Sequence, residues 1–430
     1  MIVKGTTGGQ LSKHLLIGII VLALAARFAV AMVTRSWVFP SDDNFRAFGY
    51  EMGQIASSLA KGDGFSWPAR PGHGPVPTAW MPPAYPLIMA AAFKIFGIFS
   101  EQAAIAIELF LTIMSVLSCI LLYVLGKRLY NVQIGFLAAF LLAIYPASIH
   151  YAVRNLWDTN LFTCCLLLII LMFLKLASHP DVKQGTYLGI VFGFTALVNP
   201  IIVGTYPFAL AWLYLKAETS RRTIIKVISL MLIVSGVVIA PWLVRNYLIF
   251  GQFAFIKSNF GNELYEGNKG ITGGGDANRA LTEAEQEFLK QSDEATRNSF
   301  LLRKAITFII EHPFRFTQQT LIRFARFWIY MRPERGWTAK ISLTIYLILL
   351  VLAVVGLLLT QARGKNVHLV LLFLLSLPLP FYFTWVNIFR YRYPIEPLLM
   401  IFASYTVYWL MVRSVSNHSL QGAMRKFSWI

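Results

Sequence analysis

Several residues combine a chemically useful type with a suggestive position. Asp42 and Asp43 directly follow the first apolar run, and Glu51 lies shortly beyond them. A carboxylate held beside a membrane surface can serve as a general base or bind a metal. The same residues could equally be solvated loop acids or a helix N-cap, and spacing alone leaves both roles open. Arg154 and Asp158 sit in YAVRNLWDTN, between two apolar runs. They either close a tight turn or face a cavity shared with the first loop, since polar groups at membrane depth usually face a cavity or a partner. Arg390, Tyr391 and Arg392 open the segment RYRYPIEP, and Arg245 and Asn246 stand in PWLVRNYLIFG. These arginines lie on the side of the membrane where the charge rule for orientation disfavours cations. Pairing with Glu396 or anchoring to lipid headgroups would account for them. A phosphate would too, because its oxygens match the guanidinium fork.

Other chemistry is missing. There is no phosphate-cradling glycine loop, no GxSxG and no HExxH. His73, His150 and His312 lack partners at metal-ligand spacing and read as bystanders. The three cysteines, Cys119, Cys164 and Cys165, lie inside apolar runs and read as packing residues. No metal site is assigned and no cofactor is required, although a divalent cation is compatible with the acidic loop. The net charge of +18 comes from Lys and Arg dispersed between apolar runs, which fits orientation and anionic lipid better than nucleic acid.

The elements that must position these residues are membrane helices. The 430 residues are 57% apolar and only 13% charged, about half the charge of a soluble domain. Mean hydropathy is +0.61. Crossing the hydrocarbon core takes about 20 apolar residues, and the candidate runs are 15–33, 103–125, 132–150, 160–177, 186–199, 202–216, 223–241, 341–360, 367–385 and 393–413. The first has no small-residue cleavage site and reads as a retained span. The segment 82–98 is apolar but short and rich in proline. If it does not cross, Lys127/Arg128, Lys183, Arg221/Arg222, Arg363/Lys365 and Arg425/Lys426 all share the side of the N-terminus. That choice predicts about ten spans with both termini cytoplasmic. It makes 82–98 an interface or shallow re-entrant helix.

Two segments then become external, 34–100 and 242–338, within a single transmembrane domain covering 1–430. Phe48, Met52, Ile55 and Leu59 follow helical spacing, and Gly62 and Gly64 should end that helix. Thr282 and Glu285 form a capping-box pair. FRFTQQTLIRFARFWIY reads as another interface helix, with arginines alternating with aromatics.

At these residues the chain resembles bacterial polytopic glycosyltransferases of the GT-C fold, in particular glycosyltransferase family 39, which includes protein O-mannosyltransferases and aminoarabinose transferases. The resemblance is carried by the acidic loop before IASSLAKGDGFS, by PTAWMPPAYPLIMA, and by YPASIHYAVRNLWDTNL. It continues through PWLVRNYLIFGQFAFIKSNFGNELYEGN, HPFRFTQQTLIRFARFW and RYRYPIEPLL. These segments span nearly the whole chain in the family's order. The resemblance implies an all-α polytopic fold of GT-C type with external juxtamembrane helices. It implies transfer of a sugar, hexose or pentose, from a polyprenyl-phosphate donor to a glycan, lipid or protein acceptor, with inversion, at the external face of a bacterial inner membrane. The base would be an acid of the first external loop, Asp43 or Asp42 by position, with Glu51 nearer the IA segment. Arg390, Arg392 and Arg245 would bind the donor phosphate. Asp158, Arg154, Asn246, Asn259 and Tyr391 would line the substrate cavity. A transporter or flippase for a lipid-linked saccharide is the alternative; it predicts repeats and midplane polar residues, which the sequence does not display.

Overall fold

The structure, a computed structural model, describes residues 6–38, 48–69, 71–269, 281–329, 337–362, 367–384 and 389–417. The described part is built from helices, together with one short antiparallel pairing of Ser66–Trp67 with Val76–Pro77. Six helices have the length and hydropathy to cross a membrane: Ser12–Thr34, Glu101–Leu129, Thr159–Ser178, Arg221–Phe250, Lys340–Gln361 and Tyr393–Ser414. The pair Val132–Ile144 and Pro146–Val153, bent by 51°, adds a seventh if counted as one span.

The other expected crossings are shorter pieces. Runs 186–199 and 202–216 become the helices Val182–Val198 and Tyr206–Lys216, joined by a 3-10 turn that starts at Pro200. Run 367–385 becomes His368–Ser376 followed by Leu379–Phe383, with the break at Leu377 and Pro378. Proline removes a helical donor and clashes with the preceding turn, so an uninterrupted apolar stretch in sequence yields broken helices in space.

Hydrogen bonds between elements sort the helix ends into two sets. At one end Arg128 donates to the Leu174 carbonyl (2.9 Å), Glu218 N–H donates to the Ala177 carbonyl (3.0 Å), and Tyr130 meets Thr360 (2.7 Å). Lys127, Lys183 and Arg221 sit at or beside these termini. At the other end Asn199 donates to Asp158 (3.2 Å), Tyr393 to Asn160 (3.0 Å), and Ser258 N–H to the Ala79 carbonyl (2.9 Å).

Two packing details show how the spans are held. Gly185, Gly189 and Gly193 lie one turn apart and face helix Arg221–Phe250. A Cβ at these positions would sit 2.8 Å from Val227, 2.9 Å from the Met231 carbonyl and 2.8 Å from Val238. Small residues at such spacing let two membrane helices approach closely. Arg27, fully buried in the first span, donates to the Ala143 carbonyl (3.0 Å) beside the bend at Pro146, and to Ser115 and Ser148 (2.7 Å each). Its charge is met by neutral acceptors, among them the carbonyl beside the bend.

Outside the spans the expected local signals appear. Helix Glu51–Lys61 ends at Gly62, which adopts a left-handed φ of 92°. Residues 82–98 contain helix Ala84–Phe96, whose Tyr85, Met89 and Phe93 enter the common core. Thr282 and Glu285 form the reciprocal capping box. The Arg/aromatic run forms helix Pro313–Ile329.

Candidate active site

A cavity of about 390 Å³ opens at the second set of helix ends. Its apolar lining includes Phe162, Ile201, Phe255, Leu377 and Phe381, and its polar lining includes Asp158, Asn199, Lys257, Asn259, Glu263 and Arg390. Met52 also lines it, one residue past Glu51.

Glu51 is the first residue of its helix. The turn before it is tightly determined. Gly49 has φ +74°, and a Cβ there would lie 2.6 Å from the Leu156 carbonyl, so only glycine fits. Tyr50 follows with φ 56° and ψ −120°, an unfavourable conformation for a residue with a side chain. Its ring packs against Trp157 at 5.7 Å. The start of the Glu51 helix is thereby pinned to the turn that carries Asp158.

Asp158 is 6% exposed and stands at the N-terminus of helix Thr159–Ser178. Burial pushes its carboxyl above the usual range, while Arg390, the Asn199 hydrogen bond and Lys257 oppose that shift. Lys257 is fixed through its neighbours: Trp242 donates to the Ile256 carbonyl (2.9 Å), and Ser258 bonds Ala79. Burial lowers the Lys257 ammonium; Glu263 works against this, Arg390 adds to it, and Asp158 and Glu51 oppose it. Glu263 lies on helix Phe260–Asn268, with the Asn259 amide 3.5 Å from its carboxylate. Burial raises its carboxyl, Lys257 and Arg390 oppose, and Glu51 reinforces. The Arg390 guanidinium lies 4.3 Å from the Trp157 ring centre and donates to the Tyr391 hydroxyl (3.3 Å). Tyr391 in turn stacks on Phe381 at 4.4 Å.

Glu51, Asp158, Lys257, Glu263 and Arg390 thus feel one another's charge. Among the described residues the direct ion pairs lie elsewhere. The arrangement can hold an anionic head between two cations, with carboxylates beside it and apolar walls around it. Among the described residues no group of three His, Cys, Asp or Glu side chains is placed to hold a metal.

The sequence candidates divide. Asp158, Arg390, Asn259 and Tyr391 line the cavity, and Glu51, whose neighbour Met52 lines it, acts electrostatically on Arg390. Asp42 and Asp43 lie outside the described residues. Four others have different places. Arg392, 4% exposed, is paired with Glu396 (2.9 Å), donates to the Phe327 carbonyl (3.2 Å) and lies over the Tyr346 ring at 3.4 Å. Arg245 donates to the Thr78 and Phe65 carbonyls (2.7 Å each), and Asn246 to the Phe255 carbonyl (2.9 Å). Arg154 is exposed and does not line the cavity. Arg392, Arg245 and Asn246 instead direct donors to acceptors within the protein, as buried polar groups usually do.

Lys257, Glu263 and Asn199 were missed by sequence reasoning. Lys257 had a usable signal, being a further cation on the disfavoured side, in FAFIKSNF. Glu263 follows Asn259 at one-turn helical spacing. Asn199 had none, because its role is to donate to a carboxylate far away in sequence.

Residues 81–244 match the sequence profile of the family described as dolichyl-phosphate-mannose-protein mannosyltransferase. No curated protein matches the chain by sequence. Among solved structures, the archaeal oligosaccharyltransferase AglB from Archaeoglobus fulgidus, in complex with an inhibitory peptide and a dolichol-phosphate, superimposes over 97% of this chain and 52% of its own, at 14% identity and TM-score 0.59. The same enzyme tethered to an acceptor peptide aligns over 96% and 51%, at 14% identity and TM-score 0.60. ArnT from Cupriavidus metallidurans bound to undecaprenyl phosphate aligns over 91% and 78% at 13% identity, with a TM-score of 0.42. The chain spans about half the length of the archaeal chains it matches.

Proposed function

We propose that this chain, a membrane protein with the GT-C fold of polytopic glycosyltransferases, moves a sugar from a polyprenyl-phosphate donor to an acceptor hydroxyl at the external face of the membrane. The observation that carries the reading is the convergence of Asp158, Lys257, Glu263 and Arg390 on one apolar-walled cavity of about 390 Å³, with Glu51 within electrostatic reach of Lys257, Glu263 and Arg390. A lipid-linked phosphosugar needs such surroundings, with a greasy wall for the chain, cations for the phosphate and a carboxylate for the incoming hydroxyl.

In this mechanism the acceptor oxygen attacks the anomeric carbon as a carboxylate removes its proton. The bond from that carbon to the phosphate oxygen breaks in the same displacement, so the configuration inverts. Negative charge grows on the leaving phosphate, and Arg390 and Lys257 hold it more strongly in the transition state than in the ground state. Glu51 is the described first-loop carboxylate nearest this chemistry. Asp42 and Asp43 remain proposed alternatives for the base. The match of residues 81–244 to a mannosyltransferase family supports the sugar-transfer reading. Orientation is supported by Lys127, Arg128, Lys183 and Arg221 at the helix ends opposite the cavity, as the positive-inside rule requires of a cytoplasmic side.

The test is release of polyprenyl phosphate from a labelled polyprenyl-phosphate sugar by the purified chain, with envelope glycans, glycolipids and proteins as acceptors. Movement of the labelled donor across empty liposomes without sugar release would instead favour the lipid-linked saccharide flippase.

A further inference from the structure

The cavity's two loop walls are joined by a single carboxylate that stands outside it. Glu294 is the first residue of helix Glu294–Glu311 and does not line the cavity. One of its oxygens accepts from the backbone N–H of Ala79 (2.8 Å) and from the Ser258 hydroxyl. The other accepts from the Thr78 hydroxyl (2.6 Å) and from the Trp67 indole N–H (3.4 Å). Trp67, Thr78 and Ala79 belong to the first loop, and Ser258 to the segment after Arg221–Phe250. The chain continues directly from Ala79 to Met81 and Pro82, and from Ser258 back to Lys257, all three of which line the cavity. Arg245 reinforces the same seam by donating to the Phe65 and Thr78 carbonyls.

We propose that Glu294 is a positioning residue that sets Lys257 against the cavity by clamping Trp67, Thr78 and Ala79 to Ser258. The proposal rests on the reading of the cavity as the donor-phosphate site. The number and identity of the donors select a carboxylate. Four donors converge on two oxygens, which an ionised Glu can accept and a Gln cannot, since its amide presents one oxygen and two further donors. Losing half of these bonds loosens the seam that holds Ser258 and Lys257, leaving the Ser258 N–H to Ala79 and Trp242 to Ile256 bonds to carry it alone, and misplacements on the order of 1 Å can cost about 100-fold in catalysis.

The test uses the full chain in detergent, with undecaprenyl phosphate as the probe. Glu294→Gln should speed backbone hydrogen exchange in peptides covering 76–82 and 254–260 while leaving the spans unchanged. It should also weaken undecaprenyl phosphate binding about tenfold, and Glu294→Asp should recover part of that loss. The deciding readout is a double-mutant cycle with Lys257→Ala. If Glu294 acts through Lys257, the double variant binds no more weakly than Lys257→Ala alone, within about twofold. Additive losses, or unchanged exchange at 254–260 in Glu294→Gln, overturn the proposal. If the wild-type chain binds no undecaprenyl phosphate, the donor reading fails instead, and the exchange result by itself decides whether Glu294 holds the Lys257 segment.

Discussion

Arg390 and Arg392 stand two residues apart in the same motif, yet the structure gives them different work, and replacing each with alanine should separate the two roles. Arg392 is 4% exposed and its partner Glu396 is 3% exposed, joined at 2.9 Å. Removing one member of a buried pair leaves an uncompensated charge and costs about 3–5 kcal/mol. Arg392→Ala should therefore lower the melting temperature clearly. The double replacement Arg392→Met with Glu396→Leu should restore much of it, because the charge left behind is then removed as well. Among the described residues Arg390 is in no such pair; it lies over the Trp157 face at 4.3 Å, a contact worth about 0.5–2 kcal/mol, and donates to the Tyr391 hydroxyl. As a ligand for a donor phosphate it would contribute about 1.5–3 kcal/mol through a charge-assisted hydrogen bond, so Arg390→Ala should weaken donor binding roughly 10- to 150-fold with a smaller loss of stability. The assay is built into the chain. Cys119, Cys164 and Cys165 are 1%, 8% and 8% exposed, so a thiol-reactive dye reports unfolding of the spans, and donor titration of the same samples reports binding. Should Arg392→Ala melt like the wild type while losing donor binding as Arg390→Ala does, the division of labour proposed for the two residues would be wrong.

Glu51→Gln should abolish sugar transfer while membrane insertion and donor binding persist, measured by single-turnover product release; full activity would return the base role to Asp42 or Asp43. Lys257→Ala should weaken donor binding about tenfold or more, since it deletes a charge-assisted contact worth about 1.5–3 kcal/mol, and unchanged affinity would remove Lys257 from the phosphate site. Gly49→Ala should cut the yield of folded protein, because it combines a φ of +74° with a 2.6 Å approach to the Leu156 carbonyl; a normal yield and melting curve would contradict that geometry. Donor affinity should fall as pH rises. The Asp158 and Glu263 carboxyls are raised by burial and gain negative charge above the usual carboxylate range, and the lowered Lys257 ammonium loses its charge earlier than an ordinary lysine. All three changes make the cavity more negative with rising pH, so affinity measured from about pH 6 to about pH 10 should decline, with a shallower slope in Asp158→Asn with Glu263→Gln. Affinity that rises with pH would reverse the assigned directions.

Much of the fold was legible because it is written locally. Hydropathy over about 20 residues marks spans, and a Thr282–Glu285 pair or the Gly after Lys61 marks a helix end. The number of unbroken spans was not legible, since the proline-interrupted runs 186–216 and 367–385 keep the hydropathy of a span while losing its continuity.

The site divides along the same line. Sequence reasoning placed acids and cations of the two long loops at one end of the helices, and Asp158, Lys257, Glu263 and Arg390 do line one cavity there. Which of them face the cavity was decided only in three dimensions. Arg390 and Arg392 share a motif, but Glu396 comes within reach of Arg392 and not of Arg390. Arg245 is taken up by two carbonyls from the first loop, while Lys257, unremarkable in sequence, meets Glu263 and Asp158 across the cavity. A side chain's role depends on which distant groups satisfy its hydrogen bonds and charge, and those partners are fixed by packing between segments rather than by the residues next to it in the chain.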